Sequence, residues 1–109
     1  MDCDYLALDQ TDVYWTNGSS VYGDGNVRRV SQQGGAVTTL FTTKTSPQGV
    51  AVDGTHVYWG DSNGGVGKAS KGGGSAVLLG SSKQLVRAVA VDDDCVYWIS
   101  GSNVSAALK

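Results

Sequence analysis

The chain has 109 residues, and its eight Lys and Arg against ten Asp leave a net charge of −2, which gives nucleic acid or an anionic membrane no basic surface to grip. Sixteen Gly, one Pro and many Ser and Thr suit a single all-β domain over residues 1–109 with many turns. No run approaches the roughly 18 apolar residues of a membrane-spanning helix, and Met1-Asp2-Cys3-Asp4 lacks the basic and apolar regions of a signal peptide.

Read in order, the chain falls into three similar units. The first covers about 5–40. Leu6–Asp9 and Val13–Thr16 are short runs rich in β-branched and aromatic residues, predicted to form an antiparallel hairpin. A polar, Gly-rich segment, Asn17–Asn26, leads to a third strand at Val27–Ser31. After a turn at Gln32–Gly35 comes a fourth strand at Ala36–Leu40. The second unit, about 49–79, follows the same plan: Val50–Asp53, Val57–Gly60, Val66–Ser70 and Ala76–Leu79, with Pro47 expected to lie outside the strands. In its first turn, Gly54 is free to take positive φ. The third unit, about 88–109, has Val89–Asp92, Val96–Ile99 and a strand within Ser102–Ala107, but no fourth strand. About eleven strands are expected and no helix.

Three residues recur in register. They are Asp9, Asp53 and Asp92; Tyr14, Tyr58 and Tyr97; and Trp15, Trp59 and Trp98, each series stepping by 44 and then 39 residues. The five extra residues lie in the Asn17–Asn26 loop, which is an insertion. Each Asp opens a turn and is expected to accept hydrogen bonds from amides two residues on. Adjacent Tyr and Trp side chains point to opposite faces of a strand, so each sheet must be covered on both faces. The three tryptophans are therefore expected to be mostly buried and to act by packing.

Val13-Tyr14-Trp15-Thr16-Asn17, Val57-Tyr58-Trp59-Gly60-Asp61 and Val96-Tyr97-Trp98-Ile99-Ser100, each after an Ala-Val-Asp-like strand, resemble six-bladed β-propellers of the YWTD class and the short repeats of large bacterial secreted proteins. The resemblance implies four-stranded antiparallel blades, about three of them with the last incomplete, and a secreted location. In that family the motif is structural and the binding surface differs between members. A propeller is a closed ring of four to eight blades, so three blades are either a piece of a longer chain or complete their ring by oligomerisation, for which a homodimer closing a ring of six is expected.

Other chemistry is thinly represented. His56, the one histidine, is expected in a hairpin turn without a catalytic partner. No zinc-ligand spacing or phosphate-cradling loop occurs. Asp24 with Asn26 and Asp61 with Asn63 are loosely similar to calcium loops, but Asp, Asn and Gly are also default turn formers. Cys3 and Cys95 allow one disulfide or two free thiols, and Asn17-Gly18-Ser19 and Asn103-Val104-Ser105 match the glycosylation pattern. No catalytic, cofactor or metal residue is assigned. The expected function is a non-catalytic binding or scaffold module with a protein or glycan ligand. The alternatives are a sugar-binding propeller lectin and a metal-dependent lactonase-type enzyme, the latter disfavoured because the chain has no Glu.

Overall fold

A computed structural model describes residues 2–18, 25–43, 46–73, 76–81 and 84–109, with the side chains of residues 2–4, 18 and 43 outside the description. The described residues form eleven strands and no helix. The first sheet comprises β1 (Asp2–Leu8), β2 (Asp12–Gly18), β3 (Gly25–Ser31) and β4 (Thr38–Thr43). The second comprises β5 (Pro47–Val52), β6 (His56–Asp61), β7 (Gly65–Ser70) and β8 (Val77–Ser81). The third has β9 (Val86–Val91), β10 (Cys95–Ser100) and β11 (Asn103–Leu108). Every strand pairs antiparallel with its neighbour in sequence, so each sheet is a meander.

The register follows the repeat. Trp15 stands opposite Leu6 and Arg28, Trp59 opposite Val50 and Gly67, and Trp98 opposite Val89 and Ser105. The first strands of the three sheets are neighbours, β5 between β1 and β9. The sheets thus meet along their inner strands and stack face to face, and alternation along each second strand decides what fills the two interfaces. Tyr14 of the first sheet packs with Val57 and Trp59 of the second, around Val27, Leu40 and Val50. Tyr58 of the second packs with Val96 and Trp98 of the third, around Val66 and Val86. Each tyrosine looks toward the following sheet and each tryptophan toward the preceding one.

That polarity grades the burial of the tryptophans. All three are mostly buried, as expected, but Trp59 and Trp98 lie between described sheets at 2% and 5% exposure, while Trp15, on the outer face of the first described sheet, is less completely covered. Tyr97 is half-buried on the outer face of the third.

Several boundaries also shift. Pro47 is the first residue of β5 and fully buried, a strand position where its missing amide is harmless. The fourth strands lie later than expected, Thr38–Thr43 and Val77–Ser81, each interrupted by a bulge. Gly54 does not take positive φ. The equivalent residues are Gln10 and Asp93, so the turn demands no such conformation.

Positive φ is used elsewhere, at Gly49 in the bulge of β5, where a Cβ would stand 3.0 Å from the Ala88 backbone. Two other glycines make room for neighbours in the next sheet. A Cβ at Gly80 would reach 2.8 Å from the Trp98 ring, and one at Gly60 would overlap Val86.

Candidate functional site

The recurrent Asp closes its hairpin through two backbone amides. Asp9 Oδ1 accepts from the amides of Thr11 (2.9 Å) and Asp12 (2.7 Å), Asp53 Oδ1 from Thr55 (2.9 Å) and His56 (2.8 Å), and Asp92 Oδ1 from Asp94 (2.9 Å) and Cys95 (2.8 Å). The second carboxylate oxygen takes the hydroxyl of the recurrent tyrosine: Tyr14 to Asp9 at 2.8 Å, Tyr58 to Asp53 at 2.6 Å, Tyr97 to Asp92 at 2.7 Å. Asp and Tyr of one motif, five residues apart, are thus a single unit that fixes where the tyrosine ring meets the next sheet.

A lysine from that next sheet completes the unit twice. Lys71 Nζ lies 2.6 Å from Asp9 Oδ2 and 5.4 Å from the centre of the Tyr14 ring. Lys109 Nζ lies 2.9 Å from Asp53 Oδ2 and 5.7 Å from the Tyr58 ring. Both lysines directly follow a third strand and are held there by the same backbone bond, Lys71 N–H to Thr55 O and Lys109 N–H to Asp94 O.

The electrostatics follow from these contacts. Burial alone would raise the Asp9 carboxyl, but the Lys71 ammonium, the Asp12 and Thr11 amides and the Tyr14 hydroxyl outweigh it and hold the group well below the usual carboxylate range. Asp53 is depressed likewise, against its burial, by Tyr58, the two amides and Lys109. Burial and then the adjacent carboxylate push the Tyr14 and Tyr58 phenols well up. At the exposed end, the hydrogen bond to Asp92 raises Tyr97 to about 12.

Between the first two hairpins the same rim opens into a groove of about 780 Å³, edged by Asp9, Asp12, Arg29, Asp53 and Lys71. Arg29 pairs with Asp12 at 3.5 Å. The groove has a charged rim over a partly apolar floor that includes Leu8, Tyr14 and Val52, and Asp9 with Lys71 and Asp12 with Arg29 are engaged with one another. Among the described residues, no three His, Cys, Asp or Glu side chains gather as a metal would need.

The remaining sequence candidates are scattered. His56 begins β6 rather than lying in the turn, with Nδ1 2.7 Å from Thr55 Oγ1. Asp24 lies outside the described residues. Asn63 accepts from the Gly65 amide at 3.2 Å and Asp61 O from the Gly64 amide, which is turn formation. Cys95 begins β10 with a free thiol, and the Cys3 side chain lies outside the described residues. Asn17 is buried, its amide donating to Asn26 at 2.9 Å across the neck of the insertion, and is therefore closed to glycosylation. The core of that insertion, residues 19–24, lies outside the described residues.

No family model matches the sequence, and no curated protein does. Solved structures do match. A chain of the nidogen/laminin complex superposes with a TM-score of 0.80 at 18% identity, over 94% of this chain and 42% of that one. The three sheets are β-propeller blades. Two computationally designed proteins share the arrangement: Ika4 (TM-score 0.62, 13% identity, 98% of this chain and 91% of that one) and Ika8 (0.63, 12%, 97% and 45%). The chain spans less than half the length of the nidogen/laminin chain that it matches. At these identities the likeness is one of fold, carried by blades one to three, of which the third has three described strands.

Proposed function

We propose that the chain is a non-catalytic binding and scaffold module built of YWTD-like repeats, three blades of a six-bladed ring that a second copy completes. The observation that carries this reading is the pair of uncovered end faces. On blade one, Leu6 and Leu8 lie in register with Trp15 and Val13, and Leu8 is 60% exposed. On blade three, Ile99, Val104 and Leu108 share a face with Tyr97, with Val104 72% and Leu108 76% exposed. The blade-one face also carries Arg28, opposite Trp15. Largely apolar sheet faces of this kind mark an interaction site, and stacking them on each other, twice, closes a ring about a two-fold axis.

The ligand class best supported is protein. The propeller-like neighbour comes from a complex between two proteins, and the rim of this chain offers a groove of mixed charge with a partly apolar floor. The glycan reading draws less support, since Trp59 and Trp98 are spent on packing between blades and offer no ring face to a sugar. The repeated carboxylates hold hairpins, tyrosines and lysines, which favours a structural role over catalysis.

Sedimentation equilibrium over micromolar concentrations tests the ring. A mass of two chains supports it, a stable monomer overturns it, and a trimer requires a different blade number. A glycan array with one sugar bound per blade would replace the protein-binding reading with the lectin.

A further inference from the structure

The chain builds the same joint twice and carries the two unmatched halves of a third at its ends. In each internal joint the leading blade offers an Asp–Tyr pair in a tyrosine-bearing face. The trailing blade covers that face with Val and Trp and returns a lysine to the carboxylate, Lys71 to Asp9 and Lys109 to Asp53. Blade three repeats the leading half. Asp92 accepts the Tyr97 hydroxyl and two amides, and among the described residues no ammonium lies within ion-pair distance of it. Beside it, Ala88, Ala90, Tyr97, Ile99 and Val104 line an apolar hollow of about 210 Å³.

Blade one repeats the trailing half. Val13 and Trp15 stand where Val57 and Trp59 stand in blade two and Val96 and Trp98 in blade three. The position of the returning lysine is taken by Gln32. Its amide bonds to Thr11 O, as the Lys71 amide bonds to Thr55 O and the Lys109 amide to Asp94 O. The Gln32 side chain turns back onto its own blade, its Nε2 donating to the Asp9 carbonyl at 2.6 Å.

We infer that the Asp92–Tyr97 face is the receptor for blade one of a second copy, and that Gln32 of that copy is the residue that reaches Asp92. The inference rests on the ring reading and specifies its joint. The joint between copies differs from the internal two in a defined way. Its donor is a neutral amide, so it lacks both the ion pair and the cation over the tyrosine ring. It also lacks a floor for the tryptophan. Trp59 stacks on Phe41 of β4, and Trp98 lies over Gly80 of β8, whereas blade three has no described fourth strand to receive Trp15. The joint between copies is therefore the weakest in the ring and the one that opens on dilution.

The test is sedimentation equilibrium of the full chain and three variants, with circular dichroism as a check on folding. Gln32→Lys installs the missing ammonium and should tighten association about threefold to thirtyfold per joint, the combined range of an exposed ion pair and a cation–π contact. The same substitution together with Asp92→Asn should lose that gain. Gln32→Glu, which leaves the receptor hairpin untouched, should weaken association by setting like charges together. If the parent associates but Gln32→Lys and Gln32→Glu leave its dissociation constant unchanged, or if Asp92→Asn does not cancel the gain, the joint is misassigned while the ring stands. If parent and Gln32→Lys both remain monomers at several hundred micromolar, the ring reading fails and this inference falls with it.

Discussion

Replacing Trp59 by Ala tests whether the recurrent tryptophans act by packing. The Trp59 side chain is 2% exposed, lies 4.7 Å from Phe41 ring to ring at 28°, and rests over Gly67, where a Cβ would come within 3.1 Å. A buried Trp removes roughly 200 Å² from water, worth about 5 kcal/mol at 25 cal/mol per Å². The stacked pair adds about 1 kcal/mol, while relaxation of the blades around the cavity returns part of the loss. The expected cost is therefore about 3–5 kcal/mol, the usual range for large core aromatics. Trp15 supplies the control within the same molecule. It holds the same place in the same motif but is less completely buried, so Trp15→Ala should cost measurably less than Trp59→Ala, in proportion to its smaller burial. Urea unfolding followed by circular dichroism, at a concentration low enough to keep the chain monomeric, measures both. Equal losses at the two positions, or a loss below 1 kcal/mol at Trp59, would refute the assignment of packing by place in the stack.

The lysine contacts should be worth less. Lys71→Met and Lys109→Met should each cost about 1–2 kcal/mol in the same assay, since each removes a charged partner from a partly buried carboxylate that keeps its other bonds. Because the Asp9 and Asp53 carboxyls are held below their unfolded values, their stabilisation is fully present above the unfolded pKa of about 3.9. It is shed as the pH falls from there through the folded values, so stability should drop below pH 4 and drop less in the two Lys→Met variants. Tyr97 ionises at about 12 because of Asp92, and absorbance titration of Asp92→Asn should move one phenol down toward 10. Gly60→Ala drives a Cβ into Val86 and should cost about 1–3 kcal/mol. Gly54→Ala meets nothing within 4 Å at an ordinary φ and should stabilise by about 0.4–1 kcal/mol.

Much of this architecture is legible in the sequence because the same residues must solve the same problem three times. The Asp-to-amide bonds are local, and alternation in Val-Tyr-Trp fixes which side chains part company, so the hairpins and the two-faced packing follow from pattern alone, while the direction in which each ring looks comes from the order of the sheets. The lysines escaped that reading. Lys71 and Asp9 are 62 residues apart, and a long side chain reaching across from a turn leaves no periodic trace. The available signal was positional: Lys71 and Lys109 both follow the third strand directly, and Gln32 stands there in unit one. The lesser burial of Trp15 leaves no trace in the sequence for another reason. Its strand is indistinguishable from the other two, and only rank in the stack decides what covers it. Pro47 is expected outside the strands because it lacks an amide donor, yet the first residue of a strand suits it equally.

The middle blade is the one with a neighbour on each face, and this has a consequence for how the molecule opens. In a linear array each unit is held by its own hydrogen bonds and by the interfaces it shares. Blades one and three share one interface each, while β5–β8 share two. Amide hydrogen exchange should therefore be slowest along β6 and faster toward both ends, with β11, paired on one side, among the first to exchange. The gradient also reports on association. On the proposed ring, raising the protein concentration should slow exchange in β2 and β10 while leaving β6 nearly unchanged, because only the terminal blades would gain a neighbour.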